Sequence, residues 1–173
     1  MSTAALVVLA ATAAGGLFLT AWGERLRPPW GAAVLTVLLG IAAILGWAAG
    51  GASHGVEEGA AVASVLAAVL GGGPVATAVL RFADPAATGI AGGPQDPDIL
   101  RGGTWIGFLE RAAVGATLLA GSAEGLVVVL AVKGLGRYAE LRAPAAAERF
   151  IIGTLASALW AAACVGVAIL LRA

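Results

Sequence analysis

The residues of this chain that could do chemistry are a few ionisable side chains inside or at the edge of strongly apolar segments. Most lie in two short stretches, residues 107–111 (GFLER) and 133–137 (KGLGR). A charged side chain at the centre of a bilayer costs about 2.5–3.5 kcal/mol on insertion scales. Such residues therefore call for partners, and they are candidates for ion pairs, for proton or ion paths, or for contacts with another protein.

Glu110 and Lys133 are predicted to form an intramembrane ion pair. They lie equally far, about 17 Å, from a turn predicted at residues 121–122 that joins two antiparallel helices. That depth is near or past the middle of a hydrocarbon core about 30 Å thick. Arg137 follows Lys133 by one helical turn and Glu140 follows Arg137 by three residues, which predicts a second pair in the same column.

Arg111 points about 100° away from its neighbour Glu110 on a helix and needs another partner. Glu148, at the entrance to the last apolar segment, is the candidate. The predicted intramembrane charge cluster consists of Glu110, Arg111, Lys133, Arg137, Glu140 and Glu148. We favour a structural role, in which the pairs fix how three helices dock. An ion or proton path, a polar ligand site open to the cytoplasm, and a docking site for a partner are the alternatives.

Three glycines and a proline form a second candidate site, a predicted helix break at Gly71, Gly72, Gly73 and Pro74. This sequence is expected to interrupt or kink a helix. Broken helices within membranes expose backbone groups to substrates or ions. They also occur where a helix ends at the interface, which is the interpretation we favour here. Whether residues 75–82 complete a span or lie at the interface is left open.

Other residue groups give weaker signals. His54, with Glu57 and Glu58 on the next turn, is better explained as a solvated helix start than as a metal site. Three aspartates, Asp84, Asp96 and Asp98, are interpreted as solubilising a loop. The single cysteine, Cys164, is predicted to be a small core residue. The sequence carries no phosphate-binding loop, zinc spacing or nucleophile elbow, so we predict no catalytic site, no metal and no cofactor.

Composition indicates an integral membrane protein. Of 173 residues, 60% are hydrophobic and 12% charged, and the mean hydropathy is +0.97. The net charge is zero, and there is no basic run, which argues against nucleic acid as a partner. The N-terminus lacks a positive region, which favours an uncleaved first span over a signal peptide. Abundant Ala, Gly and Arg suggest a bacterial source.

Apolar runs predict an all-α, polytopic bundle of about six transmembrane helices. The expected spans are residues 4–22, 30–49, 59–82, 104–119, 122–138 and 150–171. They group as an N-terminal three-span region at residues 1–82, a cytoplasmic loop at 83–103 and a C-terminal charged-hairpin region at 104–173.

The basic residues predict the orientation. With both termini outside, nine basic residues face the cytoplasm and only Arg172 faces out. The predicted localisation is the bacterial cytoplasmic (inner) membrane. In a five-span alternative, with a re-entrant third segment, the N-terminus would lie inside and the charge asymmetry of the first loop would be lost.

Three ordered motifs carry a family resemblance. They are WIGFLER at residues 105–111, AVKGLGRYAEL at 131–141 and AERFIIGTL at 147–155. Together they resemble the C-terminal membrane region of uncharacterised bacterial proteins of the DUF3307 type, over about the last 70 residues. Gly134 stands where that pattern has Ser or Ala, Arg149 where it has Tyr, and the N-terminal half lacks the family's His- and Gln-containing opening. The resemblance implies that the six charged residues act as a set.

The expected function is that of a structural or accessory subunit acting through helix–helix contacts, either as a homo-oligomer or within a membrane complex. The bilayer is its expected environment. The alternative is a small ion or solute transporter or channel that uses the charge cluster beside the predicted helix break.

Overall fold

Most of the residues that the computed structural model describes, which are 1–21, 30–83, 103–138, 140–142 and 144–172, are helical. The described residues form six α-helices and one 3-10 turn, Glu140–Arg142. The helices are α1 Ser2–Ala21, α2 Gly31–Ala49, α3 His54–Ala83, α4 Gly103–Leu119, α5 Ala123–Gly136 and α6 Pro144–Arg172. The prediction of an all-α fold is confirmed for these residues. The predicted loop aspartates fall outside them.

Local sequence explains where the helices begin and end. Gly50, with φ +62°, ends α2 in the left-handed conformation that glycine adopts at little cost. Gly121, with φ +67°, makes the turn after α4. Ser122 then caps α5, because its Oγ accepts a hydrogen bond of 3.1 Å from the Gly125 N–H. The turn predicted at residues 121–122 is therefore confirmed.

Four of the helices, α1, α2, α3 and α6, are long and apolar enough to cross a membrane. The other two form a shorter hairpin, with 17 residues in α4 and 14 in α5. At 1.5 Å per residue these measure about 25 and 21 Å, against a hydrocarbon core of about 30 Å. The chain thus has the helices of a multi-pass membrane protein.

The long helices α3 and α6 form the centre of the bundle. A cluster of buried side chains that includes Leu9, Leu35, Trp160 and Cys164 joins them to α1 and α2. A smaller cluster joins Ala5, Ala60, Ala168 and Leu171, and Leu119 packs against it. Leu119 is the last residue of α4, so the α4–α5 turn lies at the same end of the bundle as the two termini.

Helices α1 and α3 run parallel and approach closely where both carry glycine. A Cβ on Gly16 would lie 2.7 Å from the backbone nitrogen of Gly71 and 2.8 Å from its Cα. Real side chains do not tolerate such distances, so α1 can approach α3 this closely only because Gly16 has no side chain. A Cβ on Gly71 would instead lie 2.7 Å from the Trp160 ring on α6.

The interruption of the helix predicted at residues 71–74 is wrong, while the kink predicted as its alternative stays a prediction. Helix α3 continues through these residues to Ala83 with Pro74 buried inside it, and residues 75–82 are its final turns. Pro74 has no N–H to offer the carbonyl of Leu70. The hydroxyl of Thr20 on α1 donates to that carbonyl at 3.0 Å. A neighbouring helix thus replaces the missing donor, and the helix stays intact.

Candidate functional site

The ion pair predicted between Glu110 and Lys133 is present. It joins α4 to α5, with Lys133 Nζ donating to Glu110 Oε2. Each side chain is about one fifth exposed, at 20% for Lys133 and 21% for Glu110. Lys133 Nζ also lies 6.0 Å from the ring centroid of Phe150 on α6, within range of a cation–π contact. The pair therefore links the two helices of the hairpin and faces α6.

Arg111 is the most deeply placed charge, with 6% of its surface exposed. Its Nε donates to the backbone carbonyl of Val69 on α3 at 3.0 Å. Its Nη1 lies 3.5 Å from the hydroxyl oxygen of Ser157 on α6 and donates to it. The guanidinium carbon is 5.6 Å from the ring centroid of Phe108. Arg111 thus connects α4 to both central helices.

Glycines make room for this guanidinium. A Cβ on Gly72 would lie 2.3 Å from Arg111 Cδ and 2.8 Å from its Nε. A Cβ on Gly107, one turn before Arg111, would lie 3.2 Å from Nη1. The glycine run that was expected to break the helix instead forms a notch in α3 that admits a side chain from α4.

The partner predicted for Arg111 is wrong. Glu148 is exposed and precedes Ser157 by nine residues on α6, about 13 Å along the helix axis. The side chains of Arg111 and Glu110 point in different directions, as expected, and that of Arg111 points into the bundle. There a backbone carbonyl and a hydroxyl, and not a carboxylate, accept its hydrogen bonds.

The second predicted pair, Arg137 with Glu140, stays a prediction. Helix α5 ends at Gly136, and the Arg137 backbone N–H bonds to the carbonyls of Gly134 and Leu135. Arg137 has further interactions of its own, while the side chain of Glu140 lies outside the described residues.

Side chains from α1, α4 and α6 donate hydrogen bonds to backbone carbonyls within one turn of α3. We call this turn, residues 67–70, the carbonyl turn. Trp160 Nε1 on α6 donates to the Ala67 carbonyl at 3.0 Å. Arg111 bonds to Val69, and Thr20 to Leu70. The carbonyl turn lies near the middle of α3, so these polar contacts occur at the middle of the bundle.

A small open cleft, with room for about one water molecule, lies between α4, α5 and α6. Its lining residues are Glu110, Arg111, Val114, Val129, Leu130, Lys133, Thr154, Ser157 and Ala158. The hydroxyl oxygen of Thr154 is buried and has no hydrogen-bond partner in the part of the chain that the structure describes. Sequence reasoning considered Ser157 only as a nucleophile, for which it lacks a histidine partner, and did not consider Thr154. The two residues stand three positions apart in an apolar stretch of α6, a spacing that places them on one face.

The remaining predicted residues lie away from this cluster. His54 Nε2 is 3.2 Å from Glu58 Oε1 at the start of α3, with side chains 86% and 70% exposed. Among the described residues, no three His, Cys, Asp or Glu side chains come together in a way that could hold a metal ion. Cys164 is buried as a free thiol in the core, as predicted.

Comparison of the chain with protein-family models, with curated proteins and with solved structures found no match.

Proposed function

We propose that the chain is a six-span protein of the bacterial cytoplasmic membrane, with both termini outside, that acts as a structural or accessory subunit through helix contacts. Packing at one end of the bundle supports six spans. Leu119, at the end of α4, contacts the same small cluster as Ala5 near the start of α1 and Leu171 near the end of α6. Because the α4–α5 turn lies level with the start of α1 and the end of α6, we infer that the hairpin reaches the same membrane surface as those helix ends.

Charge and aromatic residues support the orientation. Apart from Arg111 and Lys133, which lie at mid-depth, this topology places seven basic residues inside and one outside. Exposed aromatic side chains lie near the helix ends, including Trp30, Trp47 and Tyr138. Tryptophan and tyrosine are enriched at membrane–water interfaces.

Single-cysteine labelling tests this topology in intact cells. In a Cys164→Ala background, Ser122→Cys in the α4–α5 turn should react with a membrane-impermeant thiol reagent. Tyr138→Cys should react only after the cells are permeabilised. Protection of Ser122→Cys from the outside would instead indicate that the hairpin ends within the membrane, leaving four full spans.

The accessory role is supported by where the charged and apolar side chains lie. The charges at mid-depth bond within the protein, whereas the apolar side chains of α5 are exposed on the outside of the bundle. Glu110 bonds to Lys133, and Arg111 bonds to two neighbouring helices. None of the residues of α5, all of which the structure describes, is buried. Large aliphatic side chains on it are more than half exposed, namely Val127, Val128, Val132 and Leu135. We infer that α5 contacts a second copy of the chain or another membrane protein.

Cysteine cross-linking in native membranes tests that inference. Val128→Cys on α5 (59% exposed) is compared with Ile44→Cys on α2 (66% exposed), both in the Cys164→Ala background. We expect Val128→Cys to give a stoichiometric cross-linked product, whether a dimer or a complex with a second protein, and Ile44→Cys to give none. Isolation of a bare monomer from both variants, after mild solubilisation, would contradict the accessory role.

The cleft supports a second candidate, a small ion or solute transporter. It brings Glu110 and Lys133 together with Thr154, whose hydroxyl has no hydrogen-bond partner within the described ranges. The transport route would use this cleft alone, since α3 has no break beside it. A pH- or ion-dependent flux in proteoliposomes that is lost in Glu110→Gln would favour transport, and the absence of flux in the parent would remove this candidate.

The DUF3307-type resemblance belongs to the proposal as well. Its motifs include the residues that the bundle uses, with Glu110 and Arg111 in the first and Lys133 in the second. If the resemblance is a true relationship, the same ion pair should form in those proteins.

A further inference from the structure

The buried apolar core of the bundle comes almost entirely from the four long helices. Its two clusters of buried side chains take their members from α1, α2, α3 and α6, and among the described residues Val114 of α4 is the one addition from the hairpin. Four other hairpin residues pack against these clusters while only partly buried, namely Leu118, Leu119, Leu126 and Val129. The core formed by the four long helices would therefore remain nearly complete without the hairpin.

The hairpin is attached to this core over a short stretch of α4. The buried residues of α4 are Arg111, Val114 and Gly115, which span about 6 Å along the helix axis. Helix α5 buries no residue, and it approaches α6 through Lys133, which lies near the Phe150 ring. Regions with few buried contacts open at a lower free energy than the whole fold. The hairpin is therefore the part of the bundle that should separate first.

The mid-depth charges do not oppose this separation. Glu110, Arg111 and Lys133 all belong to the hairpin, so these three charges stay together when it moves. Separation does break the hydrogen bonds from Arg111 to the Val69 carbonyl and to the Ser157 hydroxyl. Both acceptors are neutral, and hydrogen bonds between membrane helices are individually weak. Arg111 therefore supplies the polar contacts that hold the hairpin against α3 and α6.

We propose that the α4–α5 hairpin opens from the bundle as a unit while α1, α2, α3 and α6 stay packed, and that Arg111 holds it closed. Opening uncovers a strip of α3 and α6 that carries the Val69 carbonyl and the Ser157 hydroxyl, two polar acceptors at mid-depth. The proposal concerns the motion of the hairpin and does not depend on the accessory role or on the number of spans.

Alkylation of buried thiols by N-ethylmaleimide, in the purified full-length protein in detergent, tests the proposal. Val114→Cys reports on the contact between hairpin and bundle, and Val167→Cys on α6 is its matched control, both in the Cys164→Ala background. The two valines are 4% and 1% exposed and belong to the same buried cluster, so each thiol reacts only when its surroundings open. Each rate is divided by that of the denatured variant. Well below the unfolding temperature, Val114→Cys should react about tenfold faster than Val167→Cys, or more.

Loss of the Arg111 contacts should act on one thiol alone. Arg111→Met removes both hydrogen bonds and keeps a long side chain, so it should speed alkylation of Val114→Cys about tenfold further and leave Val167→Cys unchanged. Ser157→Ala removes one acceptor and should give a smaller rise, which keeps the test open if Arg111→Met does not fold. Equal rates at the two positions would overturn the proposal, because both thiols would then be exposed by the same global unfolding. So would an equal acceleration of both thiols by either substitution.

Discussion

The centre of α3 and the α4–α5 hairpin differ in the contacts that join them to neighbouring helices. Directly after the carbonyl turn, α1 and α3 touch backbone to backbone at Gly16 and Gly71, and apolar side chains fill the core around them. In the hairpin, α5 buries no residue, and a charged pair links it to α4. Close backbone packing at a glycine stabilises the first region, and an ion pair stabilises the second.

This difference follows from what drives helix association in lipid. Apolar burial adds little there, since lipid tails are as apolar as leucine, so helices associate through close packing and hydrogen bonds. Long helices such as α3 and α6 have many positions at which small residues permit close packing. The 14-residue α5 buries no residue, and Lys133 makes its polar contacts to α4 and α6. We therefore expect the two regions to respond differently to substitution.

The glycine contact should give the largest effect. Gly16→Ala places a Cβ 2.7 Å from the Gly71 backbone, which cannot move aside as a side chain can. We expect α1 and α3 to separate at a cost of about 3 kcal/mol, as in other overpacked cores. The free energy of unfolding in mixed micelles measures this change.

Two other helical glycines provide the control. A Cβ on Gly40 of α2 or on Gly166 of α6 would meet nothing within 4 Å. Gly40→Ala and Gly166→Ala should leave stability unchanged or raise it by up to about 1 kcal/mol, because alanine favours the helix. A loss in Gly40→Ala and Gly166→Ala as large as that in Gly16→Ala would show that the close approach of α1 to α3 does not explain the result.

The charged pair should give the next largest effect and a distinctive pattern. Lys133→Met leaves the Glu110 carboxylate without its cation, which should lower the free energy of unfolding by about 2 kcal/mol. Glu110→Gln should act similarly on Lys133. The double variant should recover most of the loss, because neither charge remains.

The opposite result would change the interpretation of the hairpin. Single variants as stable as the parent would show that folding does not require the pair, and the transport candidate would then gain weight. The charge-reversed double variant, Glu110→Lys with Lys133→Glu, should fold if pairing alone matters.

The hydrogen bond from Trp160 to the carbonyl turn should contribute less. Trp160→Phe removes the donor to Ala67 and retains an aromatic ring, so we expect a loss of about 1 kcal/mol in the free energy of unfolding. Trp47→Phe is the matched control, since Trp47 on α2 is 76% exposed. Equal losses in both variants would mean that the hydrogen bond to α3 adds nothing.

Sequence reasoning predicted the features that depend on spacing along one helix or across one turn. The turn at residues 121–122 and the matched depths of Glu110 and Lys133 follow from counting residues, and both are found in the structure. The direction in which Arg111 points was also foreseen. Its acceptors were not, because the partners of a side chain that leaves its own helix depend on which helix packs there.

The glycine run shows why the remainder could not be predicted. Glycine and proline within a helix weaken it when the helix is considered alone. In the bundle, the absent side chains admit Arg111 and Trp160, and Thr20 replaces the donor that Pro74 lacks. These stabilising contacts come from residues about 40 to 90 positions away along the chain. A pattern of neighbouring residues in the sequence therefore cannot predict them.

The bond from Thr20 to Leu70 gives the smallest expected effect and the sharpest test of that explanation. Thr20→Val should lower the free energy of unfolding by about 0.6 kcal/mol, the usual value for a hydrogen bond between membrane helices. Pro74→Ala restores an N–H that can bond to the Leu70 carbonyl within α3. In the Pro74→Ala background, Thr20→Val should therefore be nearly neutral, because the carbonyl no longer depends on α1. If Thr20→Val costs the same in both backgrounds, Thr20 stabilises the bundle by packing alone, and α3 tolerates its proline for a different reason.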